Sequence, residues 1–297
     1  MTTHGFTLTA EGPFDFGASL RFIEDWPATS GPHSDGRALR FAYCAETDWR
    51  PIGVTVTGLP GTPGGVSVAT TRAPGPGIRG EVARILSLDV DGAGFAKAGE
   101  ADPVLGDLQR LRPGLRPVCF WSPWEAACWA VIVQRSSMLI AARIKQRIAE
   151  RFGARVTVDG QEYAAFPPPV TLLEAGGLGL PAQKEEWVRG LARAALDGVL
   201  TTEHLRALPP EEALAELRAL PGVGPFSAGL ILIRGAGAPD AFPGDEPRLF
   251  AILREAYGLP EDAPPAAYRK LADMWRPYRS WASFLFRATA YRDPQPR

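Results

Sequence analysis

The chain has 297 residues, 45% of them hydrophobic, enough to bury a sizeable core and, by length, to divide into two or three domains. A formal net charge of −1 and a pI near 6.4 exclude a globally basic, DNA-coating protein but leave room for a local positive face. Cys44, Cys119 and Cys128 are too few and too dispersed for a disulfide framework, no Cys/His spacing suits zinc, and no stretch approaches the roughly 18 apolar residues of a membrane span, so a reduced, cytoplasmic setting is expected.

Through about residue 100, short β-like runs (GFTLTA, LRFAYCA, GVTVTGL, GVSVATT and ILSLDV) are separated by Gly/Pro clusters such as GLPGTPGG and APGPGIRG. Turns that short join antiparallel strands rather than parallel crossovers. One helix interrupts them at FDFGASLRFIEDW, where apolar residues recur at Phe16, Leu20 and Ile23. After DPVLGDLQRLRPGLRP (102–117) β-branched alternation disappears and no further strand is expected. Helix-length segments take over, including PWEAACWAVIVQRSSMLIAARIKQRIAERFG and KEEWVRGLARAALDG. Gly153 and Gly198 stand where left-handed C-cap residues are wanted, and FPPP at 166–169 forbids helix continuation.

Further on, PPEEALAELRAL reads as a short helix, PGVG as a tight turn, and PFSAGLILIRG as a second helix with Pro225 at its first position. This is a helix-hairpin-helix. Gly222 and Gly224, flanking Val223, let the backbone approach a ligand, and the unpaired N–H groups at the start of the second helix, around Phe226 and Ser227, form a phosphate site. Such a turn grips a nucleic-acid backbone without reading its sequence; PGVG alone fits a plain packing corner equally well. A Gly/Pro-rich loop follows, GAGAPDAFPGDEPRL, carrying Asp245 just ahead of the helix RLFAILREAYG. The expected architecture is α+β, an N-terminal antiparallel sheet domain followed by an all-α core of two helical subdomains. Residues 1–100 form the first, 101–122 a linker and helix joining the C-terminal subdomain, 123–240 the subdomain with the hairpin, and 241–297 the subdomain carrying the aspartate loop.

Hairpin followed by an aspartate loop resembles the helix-hairpin-helix DNA glycosylase superfamily, and within it the DNA-3-methyladenine glycosylase II family. The likeness is carried also by DPVLGDLQRLRPGLR with PWEAACWAVIVQRSS, similar to the family's helix ending in Gln-x-x-Ser, by FPPPVTLLEA, by WRPYRSWASFLFR, and by PFDFGASLRFI. It implies a monofunctional enzyme that flips a damaged base, an alkylated purine, from double-stranded DNA and hydrolyses its N-glycosidic bond. The abasic product would pass to an abasic-site endonuclease, with the enzyme a monomer working at the nucleoid.

On this resemblance Asp245 is the catalytic carboxylate. Asp240 and Glu246 are rivals, Glu246 being read as a solvated or helix-starting residue. Phe226 stands where strand-nicking relatives carry a lysine, so no Schiff base and no lyase activity are expected. No cysteine follows Cys128, so no iron–sulfur loop is implied, and the only cofactor expected is a monovalent cation held by backbone carbonyls of Leu220 and Val223. Gln134 would face the opened duplex, with Arg135 and Ser137 touching DNA; Arg135 either plugs the gap left by the flipped base or only meets phosphate or solvent. Phe226, Leu230, Arg287 and Trp281 would contact the base, Leu230 and Arg287 replacing the family's tyrosine and tryptophan. Trp121, Trp124 and Trp129 are either pocket or core. A guanidinium at 287 opposes a cationic base, which keeps open a neutral or bulky lesion; a weakly catalytic damage-binding protein is a third reading.

Overall fold

In the computed structural model, which describes residues 4–29 and 33–290, the first layer is one antiparallel sheet. Its strands are β1 (His4–Thr9), β2 (Ala38–Cys44), β3 (Pro51–Gly58) and β4 (Gly65–Thr70), in the order β1-β4-β3-β2. Alternation sends Val54, Val56, Val66 and Val68 into a core shared with Leu20 and Ile23 of α1 (Phe16–Glu24) and with Ile78, Val82 and Ile85 of α2 (Pro76–Ile85). The register is set by apolar cross-strand pairs, Val56 opposite Val68 and Phe41 opposite Val54.

Two expectations fail here. ILSLDV is not a strand: Ile85 ends α2 and Ser87 turns the chain at φ 52°, so the run is apolar because Ile85, Leu86 and Leu88 are buried at a helix end. A short apolar run does not by itself distinguish the two. A hairpin also appears beyond residue 117, β5 (Arg155–Val158) and β6 (Gln161–Ala164), turning through Asp159 and Gly160 at φ 46° and 80°. Val158 packs with Ala42 and Cys44, and Gly53 of β3 leaves room for it, since a Cβ there would lie 2.4 Å from the valine methyl.

The second layer centres on α5 (Pro123–Val133), apolar on every side and buried along nearly its whole length. Around it lie α6 (Met138–Phe152), α7 (Pro169–Glu174), α8 (Ala182–Leu196), α9 (Thr202–Ala207), α10 (Pro210–Arg218) and α11 (Pro225–Leu230), the last running on into a wide turn at Ile231–Gly235. Gly198, at φ 87°, follows α8 in the left-handed region as expected. Gly153 ends α6 in extended backbone instead, φ −88°, and is required for space: a Cβ would meet the Ala165 carbonyl.

The third layer joins two distant pieces, α3 (Gly92–Ala101) and α4 (Pro103–Leu111) with α12 (Pro247–Tyr257), α13 (Pro265–Ala272) and α14 (Arg279–Ala290). Asp102 stitches them: one carboxylate oxygen accepts the Val104 N–H at α4, the other accepts Trp275 Nε1–H at 2.8 Å and the Tyr257 hydroxyl. Buried Arg84 ties the first layer to the second by donating to the Phe120, Trp121 and Gly235 carbonyls. Among the described residues no helix is long and apolar enough to cross a membrane.

Candidate nucleic-acid and base-binding site

The hairpin joins α10 to α11. Gly222 sits at φ 74°, and a Cβ added there would lie 2.6 Å from the Trp187 ring, so the turn can pass over that indole only with glycine. A Cβ at Gly224 would meet nothing within 4 Å: this position faces open space. The first-turn N–H groups of α11 have no intrahelical acceptor, and the Leu220 carbonyl, though it accepts the Val223 N–H at 3.2 Å, keeps a lone pair for a further partner. Among the described residues no cluster of His, Cys, Asp or Glu could hold a metal.

Beside the hairpin runs the segment between α5 and α6. Gln134 donates Nε2–H to the Gly222 carbonyl at 2.8 Å, so its amide braces the turn rather than lining a pocket. Lys184 caps the end of α5, donating to the carbonyls of Ile132 and Gln134 at 2.9 and 2.6 Å, and burial lowers its pKa. Arg135 is exposed with a left-handed φ of 54°, and Ser137 is the N-cap of α6, accepting the Ile140 N–H. Met138, Leu139 and Ile140 follow with 42, 66 and 52% of their surface exposed, an apolar cluster that sequence periodicity had assigned to a helix without saying which face was open.

A cavity opens between α1, α11, α14 and the loop at 242–246. Phe226, 53% exposed, and Leu230 come from α11, Phe284 and Arg287 from α14, and Phe22 and Trp26 from the end of α1 and just beyond. Phe22 meets Phe284 edge-on at 5.0 Å, and the Arg234 guanidinium lies 4.0 Å from the Trp26 ring and 5.2 and 5.3 Å from Phe22 and Phe284. Burial pulls the pKa of Arg234 down to about 10, which leaves it charged at neutral pH, and its Nε donates to the Val118 carbonyl. Glycine at 229 keeps the wall between Phe226 and Leu230 open, for a Cβ there would touch nothing.

The acidic loop is stapled from behind. Asp240 is fully engaged, its two oxygens accepting Arg279 Nε–H and Arg276 Nη1–H, each at 2.9 Å, and Ser280 accepts the Ala241 N–H while donating to the Ala238 carbonyl. Asp245 and Glu246 then border the cavity, Asp245 exposed and Glu246 partly buried, with Glu246 Oε1 2.6 Å from Arg287 Nε.

No protein-family model matches the chain. It is 34% identical over 186 residues to DNA-3-methyladenine glycosylase 2 of Escherichia coli, covering 60% of this chain and 61% of that one. To the DNA-3-methyladenine glycosylase of Bacillus subtilis it is 27% identical over 211 residues, 69% of this chain and 70% of that one. Its fold superposes on the 3-methyladenine DNA-glycosylase of Archaeoglobus fulgidus with a TM-score of 0.78 at 21% identity, spanning 95% and 96% of the two chains. The chain is thus similar in sequence to DNA-3-methyladenine glycosylases and shares its fold with one of them.

The folded molecule brings Phe226, Leu230, Arg287 and Asp245 to one cavity and places Gly222, Val223, Gly224, Arg135 and Ser137 along the hairpin side. Trp281 is corrected: it is 2% exposed in the third layer, 5.3 Å from Phe95 and stacked under Arg116, with no face toward the cavity. Trp121, Trp124 and Trp129 are core as well, Trp121 lying on Phe41 at 4.2 Å. The cavity's aromatic walls come instead from Phe22, Trp26 and Phe284, of which Phe22 and Trp26 were visible only as an i, i+4 aromatic pair at the end of FDFGASLRFIEDW.

Proposed function

We propose that the chain is a monofunctional DNA glycosylase that flips a damaged base, an alkylated purine, out of duplex DNA and hydrolyses its N-glycosidic bond in base excision repair. The observation that carries this is a single cavity walled by aromatic side chains, bordered by the acidic loop and set beside a hairpin that faces open space at Gly224. The hairpin and α11 hold a phosphate, with a monovalent cation at the Leu220 and Val223 carbonyls able to bridge to it. Arg135 and the exposed Met138–Ile140 cluster fill the space the base leaves. Glycosidic cleavage then sends the C1′–N bonding pair onto the base and leaves an oxocarbenium sugar, which a nearby carboxylate stabilises. Water adds its oxygen to C1′ and releases one proton. Phe226 carries no amine, so the sugar is left abasic for a separate endonuclease.

A second reading has an observation of its own. The Trp26 face that would attract a cationic base already holds the Arg234 guanidinium at 4.0 Å, which favours a base that is neutral before it leaves. Both readings are tested by incubating the protein with duplexes carrying 3-methyladenine, 7-methylguanine or hypoxanthine and reading alkali-labile sites. Release of none of them would remove the glycosylase reading, and the ranking among them separates the cationic from the neutral substrate class.

A further inference from the structure

We infer that Glu246, and not its neighbour Asp245, is the carboxylate that faces the sugar, and that Arg287 is the residue that positions it. The inference rests on the glycosylase reading above and assigns its chemistry to one atom.

Both acidic residues border the cavity, but their surroundings differ. Asp245 is exposed and makes no hydrogen bond or ion pair with a described residue. Glu246 precedes Pro247, the first residue of α12, and a residue before proline is confined to extended backbone, here φ −112° and ψ 97°. That conformation suits an N-cap, yet the Glu246 side chain caps nothing. It reaches across the cavity instead, so that Oε1 meets Arg287 Nε at 2.6 Å, with about a fifth of the glutamate side chain and under a third of the arginine side chain exposed. The other oxygen, Oε2, makes no bond with a described residue. One oxygen is therefore anchored and the other is available, beside a helix N-terminus whose dipole favours an anion.

The same pairing accounts for the arginine at 287, where the family resemblance calls for an aromatic ring. An unpaired guanidinium in this cavity would repel an oxocarbenium and a cationic base alike. Joined to Glu246 it adds no net charge and fixes the carboxylate's rotamer. Glu246 also acts on Arg234, its charge partly offsetting the burial that lowers that guanidinium's pKa. In the reaction Oε2 stabilises the cationic sugar as the base departs with the bonding pair, then takes the proton released when water bonds to C1′ and passes it to solvent.

The test uses the full chain and a duplex bearing whichever of 3-methyladenine, 7-methylguanine or hypoxanthine the wild type releases, under single-turnover conditions with enzyme in excess. Glu246→Gln is expected to lose at least about 100-fold more rate than Asp245→Asn, while both keep affinity for a duplex containing a tetrahydrofuran abasic-site analogue. Arg287→Met is expected to slow the chemical step at unchanged affinity for that analogue, and Arg287→Lys, which restores a cation beside Oε1, to recover most of it. Asp245→Asn losing the greater rate, or Glu246→Ala releasing base at the wild-type rate, overturns the assignment, and the alanine variant answers the question even where the glutamine variant melts early. An Arg287→Met variant at wild-type rate overturns the positioning role. A wild type that releases no base from any of the three duplexes overturns the glycosylase reading instead, which keeps the two failures apart.

Discussion

At the scale of single residues, the two hairpin glycines do different work although the sequence presents them as a pair. Gly222 is held at φ 74° over Trp187, so a side chain there meets both left-handed backbone strain and a ring 2.6 Å away. Gly222→Ala is expected to destabilise the fold by about 1–3 kcal/mol, read in urea unfolding, and to weaken duplex binding with it. Gly224 has an ordinary φ of −87° and open space where its Cβ would be. Gly224→Val is therefore expected to leave the urea midpoint near wild type while weakening binding to damaged and undamaged duplexes alike, because it blocks approach of a phosphate rather than contact with a base. A valine variant that keeps wild-type duplex affinity would remove that face of the hairpin from the interface.

At the scale of elements, the cavity depends on how α1 is delivered to the helical layer. The Lys145 ammonium of α6 pairs with Glu125 of α5 at 2.5 Å, both nearly fully buried, and donates to the Ala28 carbonyl at 2.7 Å, two residues beyond Trp26. Removing one partner of a buried pair leaves a charge without compensation. Lys145→Met is expected to cost about 3–5 kcal/mol in urea unfolding, and adding Glu125→Gln to recover much of the loss. Because the same ammonium holds the segment after Trp26, the single variant should also slow base release at temperatures where it remains folded. Release at the wild-type rate would show that Trp26 is positioned by its own packing on Phe120, 4.7 Å away, without the α6 tether.

At the scale of the whole molecule, a junction between the sheet layer and the helical layer carries a titrating group. Burial, with the charge of Glu46 added to it, raises the Glu81 carboxyl to about 7 from an ordinary value of 4.5, against opposing contributions from Tyr43 and Arg84. The folded state thus holds a proton that the unfolded state has given up between those two values. Its stabilising contribution is complete below about pH 4.5 and is lost as pH rises through about 7. Glu81→Gln keeps the oxygen that accepts the Glu46 N–H and abolishes the titration, so between pH 5 and 8 its stability is expected to fall less than that of wild type, by on the order of 2–3 kcal/mol. Parallel pH dependence of the two would place the titration elsewhere. A net charge of −1 over the whole chain means that duplex affinity rests on a few local cations; Arg135→Ala is expected to flatten the slope of log affinity against log salt by roughly 0.9.

How much of this was legible beforehand depends on the distance over which each feature is decided. Local chemistry determined the N-terminal antiparallel sheet, four of its five expected strands, the α1 helix, and the hairpin with Pro225 at a helix start, because alternation, capping and turn preferences act within a few residues. The β5–β6 turn was equally local, an Asp-Gly pair between alternating residues, and was hidden only by the helical segments on either side of it. ILSLDV could not be resolved that way, since a helix end and a strand bury the same apolar residues. The cavity belongs to another scale again. Whether Trp281 or Trp26 lined the cavity, whether Gln134 reached the Gly222 carbonyl, and which of two adjacent acidic residues paired with Arg287 depended on contacts of 2.6 to 5.3 Å between residues far apart in the chain. Such contacts exist only once three layers have packed: burial selects residue types by polarity, which sequence records, while the partner a polar group finds is set by tertiary geometry, which no neighbouring residue encodes.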